Sequence, residues 1–313
     1  MPRFSVVIPM YNKADYIQRS VHSVLQQTLV DFELLIVNDC STDKSLSRAE
    51  KIEDSRITIL QHEVNKGLSA SRNTGISNAK GDIITFLDAD DEWKPNFLAA
   101  IDTLARKFPD CDIYGTDYEE KINNHTVIPV KNLPKAVRPN QYVKIEDFFT
   151  ASLFNPIYCY SCVAFSRKAL NKIGNFNTAV DIGEDLDFNI RANSQFKLAY
   201  YYKACAIYYV DIPNQMTNST IRNKKLIDFK KFDRQAESHP GLKKYLNASR
   251  YYYASQYKNQ RNKALFKKFK QDIDFSALSF KQKVLLECPF WMYQGLKKLK
   301  AFLIKRGIKV TPF

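Results

Sequence analysis

Four short apolar segments, separated by polar segments with helical spacing, constrain the fold of this 313-residue chain more than any other feature. The apolar segments are residues 4–9, 32–38, 57–61 and 82–87. Residues 14–26, 42–52, 69–79 and 95–108 follow them with the pattern typical of helices. Short apolar runs indicate strands buried on both faces, and strand–helix alternation with short connections indicates parallel pairing. The sequence therefore predicts an α/β fold with a mainly parallel central sheet.

Polar residues follow three of these predicted strands directly. They are Tyr11-Asn12, Asp39 with the next four residues, and Asp88-Ala89-Asp90-Asp91. In open α/β sheets, ligands bind at the carboxyl ends of the strands. We therefore expect these three groups to face one cleft. Beyond residue 110 the pattern is less regular, with a strand predicted at 161–166 and a helix at 185–193.

The acidic segment places three carboxylates within four residues, at Asp88, Asp90 and Asp91. Crowded carboxylates raise each other's pKa, and a bound divalent cation relieves their repulsion. Mg²⁺ is typically held by one or two carboxylates together with substrate phosphates. The segment predicts a metal–diphosphate site, and its position after a buried strand favours this over a solvated turn that caps the next helix.

Asp39, Arg72 and Trp93 are further candidates. Asp39 is placed to accept a hydrogen bond from a base or ribose, or else to cap the following helix. Arg72 lies in the first turn or so of a predicted helix, where it suits an anionic ligand. Trp93 either stacks on an acceptor sugar or lies in the core.

Four ordered segments closely resemble family 2 glycosyltransferases. They are SVVIPMYN (5–12), LLIVNDCSTD (34–43), NKGLSASRNTGI (65–76) and TFLDADDEW (85–93). The resemblance is strong over residues 4–110 and weaker over 155–195. It implies the Rossmann-like nucleotide-diphospho-sugar transferase fold and inverting sugar transfer from a nucleotide-diphospho-sugar, usually a UDP-sugar.

The resemblance also implies roles for individual positions. Pro9, Tyr11 and Asn12 are similar to the family's first nucleotide-contacting loop, Asp39 to the aspartate that reads the base, Arg72 to a residue near the base or diphosphate, and Asp88-Ala89-Asp90-Asp91 to the D-x-D segment. Within that segment Asp88 corresponds to the ribose-side carboxylate and Asp90 to the ligand of Mn²⁺ or Mg²⁺. Asp91 is expected to orient the metal shell or the donor sugar.

Glu184-Asp185 resembles the family's acidic motif at the start of the acceptor-side helix. Inversion requires a group that takes the acceptor hydroxyl proton, and a carboxylate in hydrogen-bond reach does this. Asp185 is the predicted base, with Glu184 as the alternative. Acids placed there only to complement the helix dipole are a further alternative.

Charge divides the chain unevenly. Residues 1–213 contain 24 basic and 27 acidic residues, whereas 214–313 contain 23 and 6, giving net charges of −3 and +17. We predict a glycosyltransferase domain over 1–213, with a nucleotide-sugar half (1–110) and an acceptor half (111–213), and a basic, mostly helical region over 214–313. Within it, an amphipathic helix is predicted to start after Pro289, with Met292, Leu296, Leu299, Leu303 and Arg306 on one side. The segment 284–306 is suited to an anionic membrane or else packs on the domain. No nucleic-acid partner is expected, because an acidic cleft repels phosphate unless a metal intervenes.

The six cysteines predict free thiols in a reducing compartment, since Cys159 and Cys162 have no second pair at zinc spacing. The first residues do not resemble a signal peptide, and no run of about 18 apolar residues occurs. A cytoplasmic location is expected, with peripheral contact to the inner membrane left open.

The predicted activity is transfer of a hexose or N-acetylhexosamine to a bacterial lipid-linked, lipopolysaccharide or capsule glycan. A non-catalytic sugar-nucleotide or glycan-binding module on the same fold is the alternative. A nucleotidyltransferase is disfavoured, because its first loop would be rich in Gly and PMYNKADY contains none.

Overall fold

The computed structural model describes residues 1–122, 125–153, 155–210, 212, 215 and 224–305, and only the backbone of 300, 301 and 303–305. The chain divides into two compact units, Met1–Ser219 with Lys225–Ile227, and Thr220–Lys224 with Asp228–Phe313. The boundary predicted between 213 and 214 lies outside the described residues, as does residue 306 of the predicted amphipathic helix.

Within the described residues, the first unit contains one ten-stranded sheet. Its strands are β1 (Phe4–Met10), β2 (Phe32–Asn38), β3 (Ile57–Gln61), β4 (Ile83–Phe86), β5 (Glu92–Trp93), β6 (Ile113–Ile122), β7 (His125–Val127), β8 (Tyr142–Ile145), β9 (Val163–Ser166) and β10 (Leu198–Val210). The order is β3-β2-β1-β4-β9-β6-β10-β5, with β7 paired to β6 and β8 to β10.

Strands β1 to β4 are parallel to one another, as are β6 and β10. Strand β9 joins these groups by antiparallel pairing with β4 and β6. The predicted α/β class with a mainly parallel central sheet is confirmed, and β5, β7 and β8 add antiparallel edges to it.

Helices cover this sheet and form most of the second unit. In the first unit they are α1 (Ile17–Leu25), α2 (Ser45–Glu50), α3 (Leu68–Asn78), α4 (Phe97–Lys107), α5 (Phe148–Ala151), α6 (Arg167–Ile173) and α7 (Glu184–Asn193). In the second they are α8 (Asp233–Glu237), α9 (Pro240–Asn259), α10 (Lys263–Gln271), α11 (Phe280–Glu287) and α12 (Phe290–Lys305). Among the helices of the described part, none is both long and apolar enough to cross a bilayer.

Helix α3 lies close against β1, and this contact positions the candidate site. Every residue of β1 is buried, as expected for a central strand. At Gly75 a β-carbon would overlap the side chain of Val7, so only glycine allows this approach. The close packing brings the first turns of α3, which carry Arg72, beside the carboxyl ends of the central strands.

Candidate active site

The loops that follow β1, β2 and β4 share one edge of the sheet. Strands β2 and β4 lie on opposite sides of β1, so the strand order changes direction there. The backbone amide of Asp39 donates to the carbonyl of Met10 (2.9 Å), and that of Leu87 to Val7 (3.0 Å). Ligands of doubly wound sheets bind at such a switch point. The three predicted polar groups are therefore brought to one place.

The loop after β1 is tied to the loop after β2 through Asn12. Its side-chain oxygen accepts from the Thr42 amide (2.8 Å), and its amide nitrogen donates to the Thr42 hydroxyl (3.2 Å). Asn12 adopts a φ of 50°, a left-handed conformation that Asn tolerates better than most residues. Pro9 is buried near the end of β1, whereas Tyr11 is 44% exposed.

Asp39 is 3% exposed and organises the turn that leads into α3. Its Oδ1 accepts from the Lys66 amide (2.8 Å) and lies 2.7 Å from Nδ1 of His62. Its Oδ2 accepts from the Gly67 amide (2.8 Å). A carboxylate offers about four acceptor positions. Three are used by the described residues, so Oδ2 keeps one for a donor such as a base N–H.

Arg72 is the centre of the candidate site and is only 1% exposed. One terminal nitrogen donates to Oδ1 of Asp185 (2.7 Å) and the other to Oδ1 of Asp88 (3.2 Å). The guanidinium also lies 4.3 Å from the ring centre of Tyr160. Burial opposes its charge, but the carboxylates of Asp185 and Asp88 outweigh this and raise the pKa of Arg72. Arg72 thus joins a donor-side carboxylate to the predicted base, 113 residues away.

A second contact holds the acceptor-side helix next to Arg72. The side chain of Asn73 donates to the carbonyl of Phe176 (3.0 Å) and accepts from its amide (2.8 Å). The Phe176 ring stacks on Phe188 of α7, with 4.1 Å between ring centres. These contacts fix the start of α7, which carries Glu184 and Asp185, over α3.

The two carboxylates at the start of α7 have different surroundings. Glu184 is 8% exposed, and burial next to Asp185 raises the pKa of its carboxyl to about 7. The side chain of Asp185 remains 45% exposed on its open side. Partial desolvation raises its pKa, while Arg72 opposes the rise. Asp185 is the more accessible of the two to an acceptor hydroxyl, and a raised pKa makes it a better proton acceptor.

Asp90 is paired with a cation of the protein itself. Nζ of Lys13 lies 2.7 Å from its Oδ2, and the Asp90 side chain is 10% exposed. Burial and the neighbouring Asp88 raise the pKa of Asp90, and Lys13 opposes this. Arg19 of α1 donates to the backbone carbonyl of Asp90 (2.6 Å) and so ties the acidic loop to this helix. The side chain of Asp88 is 29% exposed beside it.

The remaining predicted residues of this loop lie inside the protein. Ala89 is 3% exposed and Asp91 is fully buried. Asp91 accepts from the Tyr209 amide (3.1 Å) and from the Ser161 hydroxyl, which leaves its carboxylate facing β10 rather than the cleft. Because protein covers both residues, we expect Ala89 and Asp91 to position the loop rather than to touch the donor directly.

Trp93 also belongs to the core. It is 3% exposed and stacks on Phe97, with 4.2 Å between ring centres. Its indole nitrogen donates to the Ser161 carbonyl (2.6 Å). Of the two alternatives for Trp93, this burial favours the core over stacking on an acceptor sugar.

A family model described as glycosyl transferase family 2 matches residues 5–174, more than half of the chain. The chain belongs to glycosyl transferase family 2. A putative teichuronic acid biosynthesis glycosyltransferase of Bacillus subtilis is 45% identical over 100 residues, covering 31% of this chain and 39% of that protein. The Escherichia coli enzyme UDP-Glc:α-D-GlcNAc-diphosphoundecaprenol β-1,3-glucosyltransferase is 35% identical over 140 residues, covering 45% and 54%. The chain thus spans about two-fifths to just over half of these curated relatives.

The fold of this family 2 chain is also found in solved structures. Staphylococcus aureus TarS residues 1–349, in complex with UDP-GlcNAc, aligns with a TM-score of 0.58 and 20% identity. The alignment covers 74% of this chain and 64% of the TarS chain. At this identity the likeness supports the fold alone. The family assignment rests on the family model over residues 5–174.

The acidic loop of this family 2 enzyme fits a divalent cation only when a substrate completes the shell. Among the described residues, no three His, Cys, Asp or Glu side chains are placed to hold a metal. Asp90 already binds the ammonium group of Lys13, which shows that this carboxylate holds positive charge. One or two carboxylates with phosphate oxygens and water are the usual ligands of Mg²⁺. The residues present therefore fit a cation that arrives with a diphosphate.

Several residues of the site were not identified from the sequence. Lys13 directly follows the Tyr11-Asn12 pair, so its position in that loop was an available signal. Ser161 accepts from the Asp88 amide (3.2 Å) and contacts Asp91, and Tyr160 beside it packs on Arg72. No local pattern identifies these two, because they reach the acidic loop only through the pairing of β9 with β4.

Proposed function

We propose that this family 2 enzyme transfers a hexose or N-acetylhexosamine from a UDP-sugar to a lipid-linked or cell-surface glycan, with inversion at the anomeric carbon. The observation that carries the proposal is the position of Arg72. It bonds Asp88 on the donor side (3.2 Å) and Asp185 on the acceptor side (2.7 Å). A donor sugar bound between these two carboxylates would have its bond to the diphosphate near Asp88. The attacking hydroxyl of the acceptor would lie near Asp185.

The donor half of the proposal rests on the loops at the sheet edge. Asp39 has one acceptor position for a base N–H, and Tyr11 offers an exposed ring in the loop after β1. Asp88 is accessible to a ribose hydroxyl. Support for uridine comes from TarS, a structural neighbour determined with UDP-GlcNAc and with UDP, and from the UDP-glucose in the name of the Escherichia coli relative.

In the proposed reaction, the acceptor oxygen bonds to the anomeric carbon as the bond from that carbon to the diphosphate oxygen breaks. Asp185 takes the proton of the attacking hydroxyl, and the nucleotide diphosphate leaves with the electron pair. Arg72 holds the Asp185 carboxylate in place. Burial and the neighbouring Asp185 raise the pKa of Glu184 to about 7, so a second full negative charge beside the base is avoided only below that pH.

Asp90, with Asp88, would hold a Mn²⁺ or Mg²⁺ ion together with the donor diphosphate, and such an ion supplies positive charge to the leaving group. Lys13 must then release Asp90 or share it, since its Nζ is 2.7 Å from Oδ2. Once displaced, the Lys13 ammonium remains in the same loop and can pair with a phosphate oxygen.

The proposed acceptor is inferred from the name of one relative and from the charge of the chain. The Escherichia coli relative is named for an acceptor carried on diphosphoundecaprenol, a membrane lipid. The basic region of this chain, net +17 over 214–313, suits an enzyme that works at an anionic surface. We therefore propose a lipid-linked acceptor at the cytoplasmic face of the membrane, approached through residues 284–306.

A donor-hydrolysis screen tests the proposal. The purified full chain is incubated with UDP-, dTDP- and GDP-linked glucose, N-acetylglucosamine and galactose, with added Mn²⁺ or with a chelator. We expect release of UDP from at least one UDP-sugar, and loss of this activity when metal is removed. Full activity in the chelator would contradict the role of Asp90.

The alternative, a non-catalytic binding module, predicts a different result from the same material. Calorimetry would then show donor binding, with no turnover across a panel of lipid-linked acceptors. The accessible Asp185 and its pairing with Arg72 favour an enzyme, because a binding module does not require a proton acceptor facing the cleft.

A further inference from the structure

Helix α12 carries an apolar stripe that faces away from its own unit. The stripe consists of Trp291, Met292, Leu299 and Phe302, which are 76%, 37%, 53% and 49% exposed. At 100° per residue these four positions fall within about 100° of arc, so they form one continuous face. The sequence pattern had placed Leu296 on this face. The structure corrects this, because Leu296 lies half-buried on the flank, outside that arc.

The opposite side of α12 is the one that packs on the protein. Tyr293 is 6% exposed and donates its hydroxyl to the Ser255 carbonyl of α9 (3.3 Å). Gln294 donates to the side chain of Asn259 (3.0 Å). The helix is therefore held by an aromatic and polar face, and its most apolar face remains exposed.

Positive charge borders this α12 stripe. Lys298 is exposed at its edge, and the α12 segment contains four lysines and no acidic residue. The guanidinium of Arg261 lies 4.5 Å from the ring centre of Phe290, at the first turn of α12. Arg261, Trp291 and Lys298 line one cavity of about 630 Å³ between the end of α9 and α12.

Arg261 occupies a position where glycine is the ordinary choice. It follows the end of α9 with a φ of 57°, in the left-handed region that costs a residue with a β-carbon roughly 1 kcal/mol. A strained residue retained at a helix end motivates a search for what its side chain does. Here the side chain extends over Phe290 toward the cavity, where its planar fork suits a phosphate group.

We propose that the α12 stripe and its basic border, Arg261 and Lys298, form a docking surface for an anionic lipid bilayer. Trp291 and Phe302 insert at the level of the headgroups, and Arg261 and Lys298 contact lipid phosphates. A second copy of the chain is a poorer occupant, because two regions of net charge +17 repel one another. The inference rests on the proposed function in that a lipid-linked acceptor gives the docking its purpose.

Vesicle cosedimentation of the full chain tests the surface without donor or acceptor. Vesicles of phosphatidylcholine alone are compared with vesicles that also contain phosphatidylglycerol, at low and high NaCl. We expect binding to the anionic vesicles only, weakened by salt because the charges are screened. The double variant Trp291→Ser/Phe302→Ser should lower the partition coefficient more than about tenfold.

Arg261→Gly separates docking from folding. Glycine adopts the same φ without strain, so the thermal unfolding temperature should hold or rise. Affinity for anionic vesicles should nevertheless fall about fivefold, the effect of one basic residue near a charged membrane. Val30→Ser and Lys51→Ala, at exposed positions of the first unit, are matched controls and should bind as wild type does.

Three outcomes would overturn the docking surface. They are equal binding to neutral and anionic vesicles, unchanged binding by the stripe and Arg261 variants, and a dimer in light scattering that the double variant abolishes. UDP release measured on the same preparations separates this inference from the proposed function. Hydrolysis without vesicle binding removes the docking surface alone, and vesicle binding without hydrolysis of any donor removes the proposed function alone.

Discussion

At the scale of single residues, Arg72 is paired with two carboxylates of different accessibility. A buried guanidinium requires negative partners, and Asp88 and Asp185 supply them at 3.2 and 2.7 Å. Both carboxylates remain partly exposed, at 29% and 45% of their side chains. The buried cation therefore orders two groups that still face a ligand.

Glu184 gives a pH-dependent prediction at this scale. Its pKa of about 7, raised from 4.5 by burial and by Asp185, means that the folded chain keeps a proton that the unfolded chain has released. The stability this group contributes is complete below about pH 4.5 and is lost as the pH rises through about 7. We expect Glu184→Gln to gain on the order of 2–3 kcal/mol of unfolding free energy relative to wild type between pH 5 and 8.

Urea denaturation at the two pH values measures this difference. Glu53→Gln, the same change at an exposed position, controls for the loss of one carboxylate from the net charge. A difference between Glu184→Gln and wild type that stays constant with pH would contradict the assignment.

Some candidate residues lie at the cleft as predicted and others lie in the core, and burial by distant segments explains the difference. Asp39, Arg72 and Asp88 lie where their motifs indicated, at the carboxyl edge of the sheet. Asp91 and Trp93 follow the same strand but turn inward, because Ser161 and Tyr209 from distant segments cover them. A single sequence does not show which side of a loop later segments will cover.

At the scale of elements, helix α3 packs closely against β1 because Gly75 has no side chain at the contact with Val7. Strands β1 to β4 and the helices between them could be predicted because each of these strands is short, apolar and bounded by polar turns. Strands β6 and β10 could not, because β6 mixes polar and acidic residues with Tyr, and β10 mixes Tyr, Lys and Ala, without a clean period of two. Strand β10 also changes register with β6 between Tyr201 and Ala206, which breaks the alternation.

Gly75→Ala tests the α3–β1 contact. The added methyl group would overlap Val7, so we expect a loss of about 1–3 kcal/mol and a lower affinity for UDP as α3 and Arg72 shift. Gly295→Ala in α12 is the matched control, since its β-carbon meets open space and a helix gains up to about 1 kcal/mol from the change. Thermal unfolding followed by circular dichroism compares the two. Equal effects of the two variants would show that the contact does not matter.

At the scale of the whole molecule, the earlier and later parts of the first unit meet at Arg72, which bonds Asp88 and Asp185. Parallel strands β1 to β4 present the donor loops, and antiparallel β9 connects them to β6 and to the segment before α7. The donor side is specified by four ordered motifs. The acceptor side depends on a contact across 113 residues that no local pattern indicates.

The central claim is that Asp185 takes the proton of the acceptor's attacking hydroxyl, while other residues bind the nucleotide of the donor. The direct measurement is transfer rate and UDP affinity for Asp185→Asn in the full chain, with Asp82→Asn as control. Asp82 is 73% exposed and lies at the amino end of β4, away from the cleft. We predict a loss of transfer of roughly 10²- to 10⁴-fold for Asp185→Asn with UDP binding retained, and wild-type rates for Asp82→Asn. Near-normal transfer by Asp185→Asn, or a loss that only follows UDP affinity, would contradict the claim.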